Sequence, residues 1–399
     1  MGQALQAVLG IPGRQAARDS ESAKRRADFL PPAGDGFHRS QRRTALLLGL
    51  GGGEGRLHPG GDAVTSLISA TILGVAGTEL TADEAALFKE VRPFGFILFA
   101  RNIETPDQVR ALCDSLRKAA GHEAPILIDQ EGGRVQRLRG PVWREWLPPL
   151  EQVQLAGSRA EDAMYARYRI IAHELLELGV DANCAPLVDI ATRQTHPFLK
   201  NRCYGHDADT VAKVGRAVAN GLLDGGVLPI VKHIPGHGRA QVDSHLDLPV
   251  VETDFETLSD TDFRPFAALN DLPMGMTAHL VYTACDTRPA TTSPEMMRVI
   301  RDRIGFDGLI MTDDISMKAL KGDLAELSRQ SLAAGCDVVL HCNGEFSEMT
   351  AVVGASGSLE GDARRRADAA LAARKGPIEV DIPVLEAKLT ELLHGRGNV

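Results

Sequence analysis

Between residues 66 and about 345, short apolar runs alternate with helical patterns of about 10–15 residues, and the alternation repeats eight times. The runs are Ile72–Ala76, Phe96–Phe99, Ile126–Asp129, Val180–Pro186, Leu228–Lys232, Gly275–Ala278, Leu309–Thr312 and Val338–His341. They are nearly continuous in apolar character, as parallel strands covered on both faces are. Helix starts fall between them. Thr81 with Glu84 forms a capping box, Thr105-Pro106-Asp107-Gln108 a second, and Ser293-Pro294 opens a third helix. Gly225, Gly305 and Gly335 mark helix ends. Eight β/α units in roughly 300 residues predict an α/β chain folded as a (β/α)8 TIM barrel. A doubly wound open sheet is the alternative. No GxGxxG follows the first strand, which leaves dinucleotide binding without support.

The chain has 399 residues, 44% of them hydrophobic, enough for one large barrel core. Residues 66–395 are read as that single domain, with the segment from about 360 forming helices packed outside the barrel. Residues 1–65 are read as a flexible extension. The first 60 residues hold nine Lys/Arg, five Asp/Glu and 11 glycines. Arg42-Arg43 ahead of Thr44–Leu48 faintly echoes a twin-arginine signal, but the apolar part is short and no small-x-small site follows. The net charge of −9 argues against nucleic acid as a partner, and no apolar run reaches membrane-spanning length. Cys113, Cys184, Cys203, Cys285, Cys336 and Cys342 are scattered without CxxC spacing, so neither a disulfide framework nor a zinc ribbon is expected and a reducing compartment fits.

Polar residues follow almost every strand run. Asp129 follows the third, with Arg134 and Arg137 close behind. Asp189 and Arg202 follow the fourth. The fifth runs into Lys232-His233-Ile234-Pro235-Gly236-His237-Gly238 and then Asp243-Ser244-His245. His279 follows the sixth, Asp313-Asp314 the seventh, and His341 with Asn343 the eighth. In a barrel these ends share one face, and that face is where sites are built. Neighbouring strand residues point to opposite faces, so only one of Asp313 and Asp314 is expected at the mouth.

The motifs GFILFARN (95–102), LIDQEGGRVQRL (127–138), NRCYG (201–205), KHIPGHG (232–238) with its DSH, MTAH (276–279) and MTDDISM (311–317) stand in order along the chain. Over roughly residues 66 to 345 the chain resembles the single-domain bacterial β-N-acetylhexosaminidases of glycoside hydrolase family 3. The resemblance implies a single catalytic barrel that removes terminal N-acetylglucosamine from peptidoglycan fragments in the cytoplasm by a retaining, two-step route. Asp313 is then the nucleophile, His245 the acid and base, and Asp243 the residue that orients His245. Asp129, Arg137, Arg202, Lys232 and His233 match sugar-binding positions. Neither a metal nor a cofactor is implied. The partner is a small carbohydrate or muropeptide, and a monomer is expected. Arg134 is read as a structural ion-pair residue, Asp189 as an organiser of the mouth, and His341 with Asn343 as a strand-end polar cluster. His237 braces the loop or joins the chemistry. Two departures stand out: Arg239-Ala240 where many relatives have Asp-Thr, and Cys203 where serine is common. Two rivals remain at this point. One is a metal-dependent hydrolase using His233, His279 and Asp313, and the other is a non-catalytic sugar-binding protein. Phosphorolysis is a further possible side activity, because a neutral histidine repels phosphate less than a carboxylate does.

Overall fold

The structure, a computed structural model, describes residues 67–241 and 247–394. The expected extension over 1–65 therefore lies outside the described residues, as do Asp243 and His245. Eight strands form the main sheet: β1 (Ser69–Gly74), β2 (Pro93–Leu98), β3 (Ile126–Ile128), β4 (Ala182–Asn183), β5 (Leu228–Ile234), β6 (Met274–Thr277), β7 (Leu309–Met311) and β8 (Val339–His341). All seven strand pairs are parallel, in the order β7-β6-β5-β4-β3-β2-β1-β8. The two ends of that order meet: Met311 bridges Val338 in parallel, and the Thr312 N–H donates to the Val338 carbonyl at 3.2 Å. This closure overturns the open-sheet alternative, whose terminal strands would each keep a free edge. Each strand run read from the sequence overlaps one of the eight.

Side-chain parity divides each strand between two cores. Ile72, Leu127, Leu228, Ile230, Met274, Met276, Leu309, Met311 and Leu340 fill the barrel interior. Their neighbours Leu73, Ile126, Ile128, Val231 and Ile310 face the helical layer. Both sets are fully buried or nearly so. Such burial contributes about 1.5–3 kcal/mol per side chain.

The surrounding helices start where local chemistry allows. In α1 (Ala82–Val91), Thr81 accepts from the Glu84 N–H and Glu84 accepts from the Thr81 N–H, the reciprocal box expected there. In α2 (Pro106–Ala120), Thr105 accepts from the Gln108 N–H, but Gln108 accepts from the Glu104 N–H instead. Gln108 spends its amide on the carbonyls of Thr78 and Asn102, so the second box is only half formed. The long helices α3 (Ala160–Leu176) and α4 (Ala208–Asp224) pack against each other, and α5 (Leu324–Ala334) against α6 (Phe346–Ser356). Gly225, Gly305 and Gly335 follow helix ends as expected.

The last two helices take different places. α8 (Ile382–His394) lies outside, with Leu389 and Leu392 joining the outer core beside α3. α7 (Gly361–Ala373) does not: Ala367 and Ala370 join the interior core. Arg366 pairs with Asp337 at 3.0 Å and Asp307 at 3.1 Å, just ahead of β8 and β7. α7 therefore closes the end where the strands begin and leaves the opposite end for a site. Among the described residues, no helix is long and apolar enough to cross a membrane.

Candidate active site

A cavity of about 500 Å³ opens at the C-terminal ends of the strands. Parity explains much of its lining. Leu228 and Ile230 point inward, so Lys232 follows them, and Asp129 and Asp313 extend the inward rows of Leu127 and Met311 in the same way. His233 has the opposite parity yet also lines the cavity. The β5–β6 register is irregular between Val231 and Ile234, which breaks the alternation at that point.

Arg137 arrives by a different route. After β3 the chain folds into a small antiparallel ribbon, Gln130–Gly132 against Val135–Gln136. The Gln130 side-chain oxygen accepts from the N–H groups of Arg137 and Leu138, at 2.9 and 3.1 Å. Gly132 sits at φ +104°, and a Cβ there would lie 1.8 Å from the buried Arg167 guanidinium, so only glycine fits. The turn brings Arg137 back to Asp129.

Five charges then interlock. Asp129 accepts from Lys232 at 2.8 Å and from Arg137 at 2.9 Å. Glu131 forms an ion pair with Lys232 at 2.6 Å and accepts from Arg202 through both oxygens, at 2.9 and 2.8 Å. Burial alone would raise the Asp129 carboxyl, but Lys232 and Arg137 outweigh it and hold it well below the usual carboxylate range. Burial opposes the charge on Lys232 too, yet Asp129 and Glu131 push its ammonium above its ordinary value. Against burial, Arg202 and Lys232 likewise lower the Glu131 carboxyl, and the interlocked charges present fixed donors and acceptors to the cavity.

Asp313 and Asp314 both line the cavity, contrary to the one-face expectation. β7 ends at Met311; the alternation carries on to Asp313 and fails at Asp314, which turns to the same cavity. Their environments differ. Asp314 accepts from the Ser316 N–H and hydroxyl and from the Cys342 N–H. Asp313 accepts only from the Asp314 N–H among the described residues, at 2.8 Å, leaving its second oxygen for a ligand. Burial would raise the Asp313 carboxyl; the His279 and His233 rings, the Asp314 N–H and Lys232 together lower it below its ordinary value. His279 bonds Thr291 through Nδ1 at 2.7 Å and the Asp314 carbonyl through Nε2 at 3.0 Å. It therefore positions the Asp313–Asp314 turn.

Asp189 organises the β5 loop as expected. It accepts from His233 Nδ1 at 2.8 Å and from the His237 N–H at 2.6 Å. Burial, with His233 beside it, pushes the His237 ring down to about 4, so His237 is neutral at neutral pH. The loops after β4 and β5 are joined: the Thr195 hydroxyl donates to the Gly238 carbonyl, and the His196 N–H to the Ala240 carbonyl. A Cβ at Gly238 would lie 2.0 Å from the Ile190 carbonyl. Arg239, one of the two departures, pairs with buried Asp262 at 2.7 Å and with the Thr261 hydroxyl at 3.1 Å. Cys203 is buried, with its thiol on the Leu199 carbonyl.

Residues 67–371 match the model of the glycosyl hydrolase family 3 N-terminal domain. The chain belongs to glycoside hydrolase family 3. A β-hexosaminidase of Methylobacillus flagellatus is 36% identical over 285 residues, covering 68% of this chain and 80% of that one. The solved family 3 β-N-acetylglucosaminidase of Paenibacillus superposes with a TM-score of 0.68 at 31% identity, covering 83% of this chain and 62% of that longer one. NagZ of Neisseria gonorrhoeae, solved with N-trifluoroacetyl-D-glucosamine, gives 0.69 at 28% identity, covering 82% of this chain and 98% of that one.

In this family 3 chain, Asp129, Arg137, Arg202, Lys232, His233 and Asp313 come together around one cavity. Asp243 and His245 lie outside the described residues. Glu131 escaped the sequence reading, although its i, i+2 spacing from Asp129 on an extended segment was the available signal. Arg134 is not an ion-pair residue among the described residues: its Cζ lies 3.9 Å from the centroid of Phe198. His341 has outward parity and bonds Glu348 on α6 at 3.1 Å, with Asn343 on the same carboxylate, so the pair is the strand-end cluster expected. The metal-binding rival loses a ligand, because both His279 nitrogens are already bonded.

Proposed function

We propose that this family 3 glycoside hydrolase, with residues 66–395 as its catalytic domain, is an exo-acting, retaining β-N-acetylglucosaminidase. Its substrates are peptidoglycan fragments, GlcNAc-1,6-anhydroMurNAc-peptides, in the bacterial cytoplasm, and it acts as a monomer. The observation that carries the reading is Asp313: an ionised carboxylate with a free oxygen, set against a cradle of fixed donors and acceptors. The cradle of Asp129, Arg137, Arg202, Lys232 and His233 holds the hydroxyls of the terminal sugar through charge-assisted bonds. The Asp313 oxygen attacks the anomeric carbon while the bond to the leaving oxygen breaks, and His245 gives that oxygen its proton. His245 then takes a proton from water, the water oxygen attacks the same carbon, and Asp313 is released with retention. Asp243 orients the His245 ring. The β-hexosaminidase named for Methylobacillus and the sugar ligand in the gonococcal NagZ support the substrate class.

The test is release of nitrophenol from its N-acetyl-β-glucosaminide in EDTA, for the wild type and Asp313→Ala. Activity that survives EDTA and disappears in the variant is expected. A folded wild type without activity would overturn the hexosaminidase reading, and loss on chelation alone would restore the metal-dependent rival. Mass spectrometry after a slow fluorinated N-acetylglucosaminyl donor should show the sugar on the peptide containing Asp313. Repeating turnover in phosphate measures any phosphorolysis.

A further inference from the structure

The cavity is lined by five cations, and four have protein partners. Lys232, Arg137 and Arg202 share Asp129 and Glu131. Arg101 donates to the carbonyls of Val75 and Cys342. Arg134 differs. It lines the cavity, is exposed, and among the described residues its guanidinium makes neither a hydrogen bond nor an ion pair. Only the face of Phe198 holds it, with Cζ 3.9 Å from the ring centroid. A cation over a ring is held by the π-face and uses none of its N–H groups for it, and those of Arg134 meet no acceptor among the described residues. The stack also limits the rotamers that binding would otherwise have to freeze. Free N–H edges of this kind match the two oxygens of a carboxylate. The chain as a whole carries −9, so an uncompensated cation at its cavity stands against the background.

We infer that Arg134, seated on Phe198, is a specificity-determining residue that binds a carboxylate on the leaving-group side of the substrate. The terminal sugar needs no further cation, because the paired network already serves it. The inference rests on the glycosidase reading and adds to it the chemical class of the leaving group.

The test compares two disaccharide substrates with N-acetylglucosamine at the non-reducing end. One is the peptide-free disaccharide, whose second sugar keeps its lactyl carboxylate, and the other is its methyl ester; in a peptide-bearing substrate that carboxyl is an amide and the carboxylates lie on the peptide. A hydrogen bond between charged groups contributes about 1.5–3 kcal/mol, so Arg134→Ala should lower the acid-to-ester ratio of kcat/KM by roughly 10- to 100-fold. Arg134→Lys should recover part of the ratio. Phe198→Leu should lower it less than Arg134→Ala, since the cation remains but loses its platform. High salt should compress the wild-type ratio towards that of the variant. An unchanged ratio, or equal losses on both substrates, would overturn the inference. Failure of the glycosidase reading is separately visible, because the wild type would then cleave neither the ester nor the nitrophenyl glycoside.

Discussion

Replacing Glu131 by glutamine keeps the shape of the side chain and removes the charge that Arg202 and Lys232 share. Glu131 is 1% exposed, accepts from Arg202 at 2.8 and 2.9 Å and forms an ion pair with Lys232 at 2.6 Å. A glutamine oxygen can keep part of this set, but its amide nitrogen would meet a cation donor to donor. Two buried cations would then depend on Asp129, which already serves Arg137. Removing one partner of a buried ion pair costs about 3–5 kcal/mol. A domain of roughly 330 residues unfolds with an entropy of about 0.7 kcal/mol/K, so Tm should fall by about 4–7 °C. The assay is thermal unfolding followed by circular dichroism for the wild type, Glu131→Gln, Arg202→Met and the double variant. The double variant should be at least as stable as Glu131→Gln alone, because the stranded guanidinium is gone. A Tm within 1 °C of the wild type, or losses that simply add, would refute a coupled network.

Two further outcomes follow from the loop after β5. His237 sits at about 4 in the fold and near the ordinary 6.5 when unfolded, so between those values only the unfolded chain takes up the proton. Stability should therefore fall as pH drops from about 6.5 towards 4, and His237→Asn should make that fall shallower in Tm-versus-pH curves; equal slopes would contradict it. Arg239→Ala leaves Asp262, 3% exposed, with the Thr261 hydroxyl but without its cation. A loss of about 2 kcal/mol, or roughly 3 °C in Tm, is expected, and Asp262→Asn in the same background should recover part of it. No recovery would show that the buried charge is not the cause.

The barrel was legible because its strands are the apolar runs, and parity carried Asp129, Lys232 and Asp313 to the mouth from the rows begun by Leu127, Ile230 and Met311. The same parity turns His341 outward, in keeping with its place beside Asn343 in the strand-end cluster. Other features depend on contacts that no local pattern records. Arg137 meets Asp129 only because the glycine turn at 132 reverses the chain, and Glu131 matters only because Arg202 arrives from the loop after β4. Arg134 reads as an ordinary arginine until Phe198, far away in sequence, is found beneath it. The interior role of α7 was hidden too, because Ala367 and Ala370 are too small to signal a buried face. Asp313 and Asp314 could be told apart only by partners: one is saturated by Ser316 and Cys342, and the other is left open.

The joined loops after β4 and β5 bear on how such an enzyme can diversify. Thr195 and His196 hold the backbone of Gly238 and Ala240, and Gly238 has no room for a side chain against Ile190. One of these loops leads to Phe198 and Arg202, and the other starts from Lys232 and His233. Neither can gain or lose a residue near the seam without moving the other's ligands. Changes in length should therefore be inherited in pairs across descendants of this chain, while single substitutions remain the freer way to retune what the cavity accepts.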